Sequence, residues 1–332
     1  MTPGVPSIPL SVLDLAPVPS GSTETAALRD TLELARVTEE LGYHRFWVAE
    51  HHAMPGVASS APAVLLAHVA MVTTTMRVGS GGVMLPNHPP LVVAEQFGML
   101  EALHPGRVDL GIGRAPGTDP ATARALRRTT GPLSADDFPE QLTELVDYFT
   151  GSAAITAIPA RGNQPAVWLL GSSGYSAQVA GLLGLPFAFA HHFSAENTLP
   201  ALKLYRERFR PSAVLQEPYA MVAAAVVCAD DDATAQALAR PAALAFLQLR
   251  KGMPGRVPSP AETEAYPYTD VDRAFMAERL STQIIGGPET VRAGVDELLA
   301  ATAADELMIV TSVHDHRDRL RSYELVAKAL RA

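Results

Sequence analysis

The chain has 332 residues, a formal net charge of −9, and 48% apolar against 18% charged residues. Those proportions suit a folded chain with a large core and exclude a disordered segment or a basic nucleic-acid surface. The single cysteine, Cys228, excludes an internal disulfide, and no uninterrupted apolar run approaches the roughly 18 residues of a membrane span, so a soluble, cytoplasmic protein is expected.

Ile8 to Leu15 suits a first strand, and Thr23 to Leu41 a helix stopped by Gly42. Arg45 to Ala49 is a second strand ending in Glu50-His51-His52, and Ala63 to Thr73 is a helix. Met76 to Leu85 is a third strand rich in glycine, followed by a Pro-Asn-His-Pro-Pro turn and a helix from Leu91 to Leu103. A fourth strand covers residues 107 to 112, and acidic residues open a helix from Asp136 to Phe149. Ala166 to Leu170 and Phe187 to Ala190 are the fifth and sixth strands, each with a helix after it. Met221 to Val227 is the seventh, with Cys228 as a buried structural thiol at its end, and a long helix runs from Asp230 to Arg250. Residues 251 to 269, broken by proline and glycine, read as an insertion or mobile loop. Short helices at 273 to 280 and 288 to 300 precede the eighth strand, Glu306 to Val310, and a last helix from Arg317 to Leu330.

Eight strands, each a continuous apolar run followed by a helix, indicate a parallel sheet covered on both faces. The α/β class expected is a (β/α)8 TIM barrel in one domain, residues 1 to 332, with the insertion late in the barrel. A doubly wound open sheet is the competing fold, but residues 16 to 21 lack the GxGxxG spacing of a phosphate loop.

In such a barrel the chemistry sits at the C-terminal strand ends. These carry Asp14, Glu50-His51-His52, Gly81-Gly82 and Asn87, Gly113-Arg114-Ala115, Gly171-Ser172-Ser173-Gly174-Tyr175, His191-His192, and Thr311-Ser312. The stretch from Arg107 to Asp119 runs an apolar strand straight into glycines and one fixed cation, which suits an anion or a flat ring. Gly171 to Tyr175 offers hydroxyls and amides before a helix N-terminus, and Arg114 one strand earlier can share the same anion. The glycines at 79, 81 and 82 fit either a flat group lying against the strand or a bulge. Adjacent histidines on extended chain point in opposite directions, so His51 and His52 are not expected to share a metal, and neither HExxH nor a three-ligand cluster is evident.

These motifs, in order and over nearly the whole chain, resemble the bacterial-luciferase-like flavin-dependent monooxygenases, in particular the MsnO8-like subgroup. The matching segments are Ser11 to Pro17, Trp47 to His52, Val78 to His88 and Gly106 to Asp119, continued by Leu170 to Ser173, Phe189 to Phe193 and Arg319 to Ser322. The resemblance implies a TIM barrel, usually homodimeric, that binds reduced FMN, with the deazaflavin F420 as the alternative. It implies that Ser173, Gly174 and Tyr175 hold the flavin phosphate with Arg114 nearby, and that the Gly81-Gly82 bond, often cis in relatives, lies behind the flavin ring. His51 matches the catalytic histidine of the luciferase α chain, and Gly113 stands where that chain has a reactive cysteine. The implied chemistry is oxygen addition at flavin C4a followed by oxygenation of an aldehyde, ketone or aromatic polyketide-like substrate. His51 then handles a proton, His192 lines the substrate cavity, and residues 251 to 269 form a lid. Without a nicotinamide fingerprint, reduced flavin is expected from a separate reductase. F420-dependent hydride transfer and non-catalytic flavin binding are the rival functions.

Overall fold

The computed structural model describes residues 8–115, 118–127 and 137–331. Its strands are β1 (Leu10–Asp14), β2 (Arg45–Val48), β3 (Arg77–Met84), β4 (Val108–Gly113), β5 (Ala166–Gly171), β6 (Phe187–Phe189), β7 (Ala220–Cys228), β8 (Ile284–Gly286) and β9 (Glu306–Val310). Pairing runs from β1 to β6 in chain order, β6 pairs with β7, and β9 lies between β7 and β1. All these pairings are parallel, so β1 to β7 with β9 close an eight-stranded barrel inside a ring of helices.

The expected strand count omitted β8. That three-residue strand pairs only with Val226 to Cys228 at the end of β7 and adds no stave to the closed barrel. A helix at Pro120–Arg127 was also not expected, and the helix expected from Asp136 spans Phe138–Thr150, Asp136 itself lying outside the described residues.

Residues 251 to 269, read as an insertion or mobile loop, contain the helix Pro260–Ala265, closed by a capping box between Ser259 and Glu262. The segment is tied to the loop after β1: Ser20 N donates to Val257 O at 2.8 Å, Val257 N to Val18 O at 3.1 Å, and Arg256 pairs with Glu24 at 2.7 Å. The Ser20 hydroxyl also donates to Glu262.

Alternation along each strand separates two cores. Val12, Phe46, Val48, Val222 and Ile309 face the helices, while Leu13, Trp47, Ala49, Ala223 and Met308 face the barrel interior. The N-terminal end of that interior is closed by charge rather than by apolar packing. Arg45 reaches Glu306 through Nε at 2.7 Å and Nη2 at 3.0 Å, and Asp109 through Nη1 at 2.7 Å. Asp109 also accepts from Trp47 Nε1 at 2.9 Å and from Arg77, and Glu306 accepts from Tyr219 and Ser11. Gly79 is explained here, since a Cβ on it would meet Trp47 Nε1 and the Asp109 carbonyl, both at 2.7 Å. Buried charges are tolerated only when paired this completely.

Cys228 is buried, and burial pushes its thiol up to about 11, in keeping with a structural role.

Candidate functional site

A cavity of about 330 Å³ opens at the C-terminal ends of the strands. Its floor and walls are apolar: Leu13, Trp47, Ala49, Leu170, Ala223 and Met308. Around these stand His51, Gly81, Gly82, Gly113, Arg114, Gly171, Ser172, Ser173 and His192, so the structure brings together residues from eight separate stretches of sequence.

The fifth strand exit behaves as an anion cradle would. Ser173 occupies the N-cap of the helix Gly174–Leu183, yet its side chain makes no capping hydrogen bond. That hydroxyl and the first helical amides are left to face another partner. Gly174 opens the helix, and Tyr175 lies outside the cavity wall, where its ring carries the Arg114 guanidinium at 4.0 Å. Among the described residues no carboxylate pairs with Arg114. A Cβ on Gly171 would come within 2.8 Å of Ser176 Cβ, so the close strand-to-helix turn requires glycine there.

At the third exit the Gly81–Gly82 peptide is cis. The β3–β4 register steps from Gly81 opposite Gly111 to Val83 opposite Ile112, which makes Gly82 a bulge. A Cβ on Gly82 would meet the Gly111 carbonyl at 2.7 Å and Leu170 Cδ1 at 2.2 Å. The bulge reading therefore accounts for the glycine, and the same bulge sets bare backbone into the cavity wall.

The two histidines after β2 part as expected. His51 lines the cavity, while His52 turns to Glu50, whose Oε1 accepts from His52 Nε2 at 2.8 Å and from His88 Nε2 at 2.7 Å. The Met84 amide donates to the other oxygen at 3.0 Å. Burial opposes ionisation of Glu50, but the donors from His88, His52 and Met84 outweigh it and hold the carboxyl below its ordinary value. Sequence spacing gave no three-ligand cluster; in space Glu50, His52 and His88 do converge, with their ligand atoms within 4.8 Å of one another. His88 was not singled out because its partner is 38 residues away; its place directly after a strand exit was the available signal. The carbonyl of His52 accepts from Thr118 Oγ1 at 3.1 Å, joining the fourth exit to the same cluster.

His192 is held by Ala223, to whose carbonyl its Nδ1 donates at 3.1 Å. A carbonyl only accepts, so Nδ1 carries the proton and Nε2 is the acceptor. Burial, reinforced by the charges of Arg279, His191 and His51, brings His192 down to about 4. The ring is thus neutral near pH 7. His191 does not line the cavity and bonds Thr198 Oγ1 through Nδ1 at 2.8 Å.

Two strand-end residues proved structural. Asp14 faces the helical layer, pairing with Arg319 and accepting from Thr31 at 2.5 Å and Ala16 N at 3.0 Å. Thr311 donates to Val226 O at 2.8 Å and is buried.

The sequence profile described as Luciferase-like monooxygenase matches residues 8–306. YvbT of Bacillus subtilis (strain 168) is 53% identical over 96% of this chain and 95% of its own length. A luciferase-like monooxygenase of Escherichia coli (strain K12) is 47% identical over 96% of each chain. The crystal structure of apo-MsnO8 superposes with a TM-score of 0.90 at 40% identity, covering 97% of this chain and 98% of that one. The chain belongs to the luciferase-like monooxygenases, flavin-dependent oxidoreductases built on a (β/α)8 barrel, and stands near MsnO8 among them.

Proposed function

We propose that this chain uses reduced FMN and dioxygen to place one oxygen atom in a small organic substrate within the 330 Å³ cavity. The observation that carries the reading is the pairing of an anion cradle with an apolar slot. Arg114, Ser172, Ser173 and an uncapped helix N-terminus stand at one side, and carbon walls with bare glycine backbone at the other. That donor set fits a phosphate, and the glycine-lined wall at Gly81 and Gly82 fits the face of a flat ring. Tyr175 contributes by seating Arg114 and Gly174 by opening the helix. Bound reduced FMN would supply the two electrons that activate dioxygen.

The protein's own part is position, dryness and proton handling. His51 is the wall residue assigned to hold or pass a proton. Neutral His192 offers Nε2 as an acceptor for a hydroxyl or amide of the substrate. Glu50, fixed by His52, His88 and the Met84 amide, keeps the second and third exits in register and so orients His51. The segment from 251 to 269 serves as the lid. Its hydrogen bonds to the loop after β1 make it a hinged cover rather than a free loop. A separate reductase supplies the reduced flavin.

A homodimer is also part of the proposal. The helices Pro62–Val72 and Pro90–Leu103 neighbour each other and are apolar nearly all round. Val64, Met71, Val72, Val92, Met99 and Leu103 stand exposed on them. Apolar side chains exposed on neighbouring helices call for cover, and a second copy of the same pair supplies it.

The deciding experiment is an anaerobic titration with reduced FMN and, separately, reduced F420, followed by admission of ¹⁸O₂ with candidate aldehydes, ketones and aromatics. Selective FMN binding with ¹⁸O in a product supports the proposal. Selective F420 binding, with substrate reduced and no oxygen consumed, overturns it.

A further inference from the structure

Among the described residues, one cation has a buried nitrogen without a partner, and it lies beside the cavity, on the helix Asp270–Ser281. Arg279 Nε is buried and has no hydrogen-bond partner, and no carboxylate pairs with this guanidinium. Other enclosed arginines are arranged differently. Arg45 pairs with Asp109 and Glu306, Arg319 with Asp14, and Arg107 directs its donors at the carbonyls of Met76, Ala70 and Thr73. Among the described residues Arg279 makes a single hydrogen bond, from Nη1 to the His192 carbonyl at 2.7 Å. Its guanidinium lies over the Phe246 ring at 4.2 Å. Burial acts against its charge and pulls the guanidinium below the ordinary arginine value.

A guanidinium that is desolvated, stacked on one face and short of acceptors is built to receive an anion. Its surroundings say what kind. His192 and Phe193 line the cavity, and Phe193 remains 57% exposed. The Phe193 ring meets Phe246 edge-on at 6.4 Å, and Phe246 stacks on Phe275 at 6.1 Å. The cation therefore lies on one ring of a three-ring aromatic cluster that reaches the cavity through Phe193.

We propose that Arg279 is the anchor for a carboxylate on the substrate, so that this enzyme oxygenates apolar or aromatic organic acids whose tail enters the cavity past Phe193. This rests on reading the cavity as the oxygenation site. The carboxylate would accept from the unengaged Nη2, the tail would pack on the aromatic rings, and the end to be oxidised would pass His192. The anchor belongs to the chain between the 251–269 segment and β8, so binding of the acid would also fasten that stretch against the β6 exit.

The test uses the full-length protein saturated with reduced FMN under argon, which also blocks Arg114 as a competing anion site. Binding of 4-phenylbutyrate and of its neutral amide is measured by calorimetry. The acid is expected to bind at least about tenfold tighter than the amide, the lower end for a charge-assisted hydrogen bond. Arg279→Met should abolish that preference while leaving FMN affinity within about twofold, and Arg279→Lys should restore part of it. Equal affinities in the wild type, binding of neither compound, or a preference surviving in Arg279→Met each overturns the inference. The wild-type comparison stands without any variant. Failure of the wild type to bind reduced FMN would instead remove the flavin reading on which it rests.

Discussion

Replacing Arg114 by methionine keeps the aliphatic stem and deletes the charge at the cavity wall. The consequence can be worked from the geometry. Among the described residues the guanidinium has no carboxylate partner to leave stranded, so its removal should barely affect folding. Against a phosphate it would make charge-assisted hydrogen bonds worth about 1.5–3 kcal/mol. Because Arg114 is only half-buried, the lower part of that range, about 1.5–2 kcal/mol, is appropriate. That corresponds to a roughly 10- to 30-fold weaker FMN affinity. Riboflavin, which lacks the phosphate, should bind the variant and the wild type alike. Tyr175→Ala, which removes only the ring beneath the guanidinium, should give a smaller loss for FMN, about two- to fivefold for an exposed cation–π contact. The assay is flavin fluorescence titration at two salt concentrations, with the FMN–riboflavin difference shrinking at high salt. If Arg114→Met weakened both flavins equally, or neither, the phosphate assignment at this strand exit would be wrong.

Glu306→Gln should destabilise the fold by about 3 kcal/mol, because Arg45 loses half of its buried counter-charge; urea unfolding with an unchanged m-value reads this. His192 takes a proton near 6.5 when unfolded but only near 4 when folded, so the unfolded chain binds more protons between those values. Stability should therefore fall as pH drops from 6.5 towards 4, with no pH dependence from this group above that window. His192→Gln should flatten that part of the profile, and a ¹⁵N-observed His192 that titrates near 6.5 would contradict it. Met71→Glu combined with Met99→Glu, at positions 76% and 53% exposed, should yield a folded monomer by light scattering. An unchanged mass would move the dimer face elsewhere.

The barrel was legible because its strands are buried on both faces and so appear as unbroken apolar runs. The cavity lining was legible where the sequence carries local marks: glycines in a strand, hydroxyls before a helix, paired histidines after β2. What escaped the sequence is held together across distance. The Arg45–Asp109–Glu306 cluster joins residues as much as 261 apart, and each looks unremarkable in its own strand. Asp14 was read as a rim group because it ends β1, yet strand alternation turns it outward to Arg319. Strand β8 is too short to show a period, and it exists because β7 extends three residues beyond its barrel partners. Arg279 sits in a helix whose sequence reads as a charged surface, and only the packing of Phe246 beneath it reveals otherwise.

The insertion of β9 between β1 and β7 also orders events in time. During synthesis Arg114, Ser172 and Ser173 emerge long before Met308, which supplies part of the cavity wall, and before Glu306, which neutralises Arg45. A ribosome-bound chain that ends short of β9 has an open sheet, an Arg45 left with Asp109 as its carboxylate partner, and a cavity missing one side. The cavity is therefore complete only once β9 has docked, and a ligand that needs all of its walls would report on whether the final stave is in place.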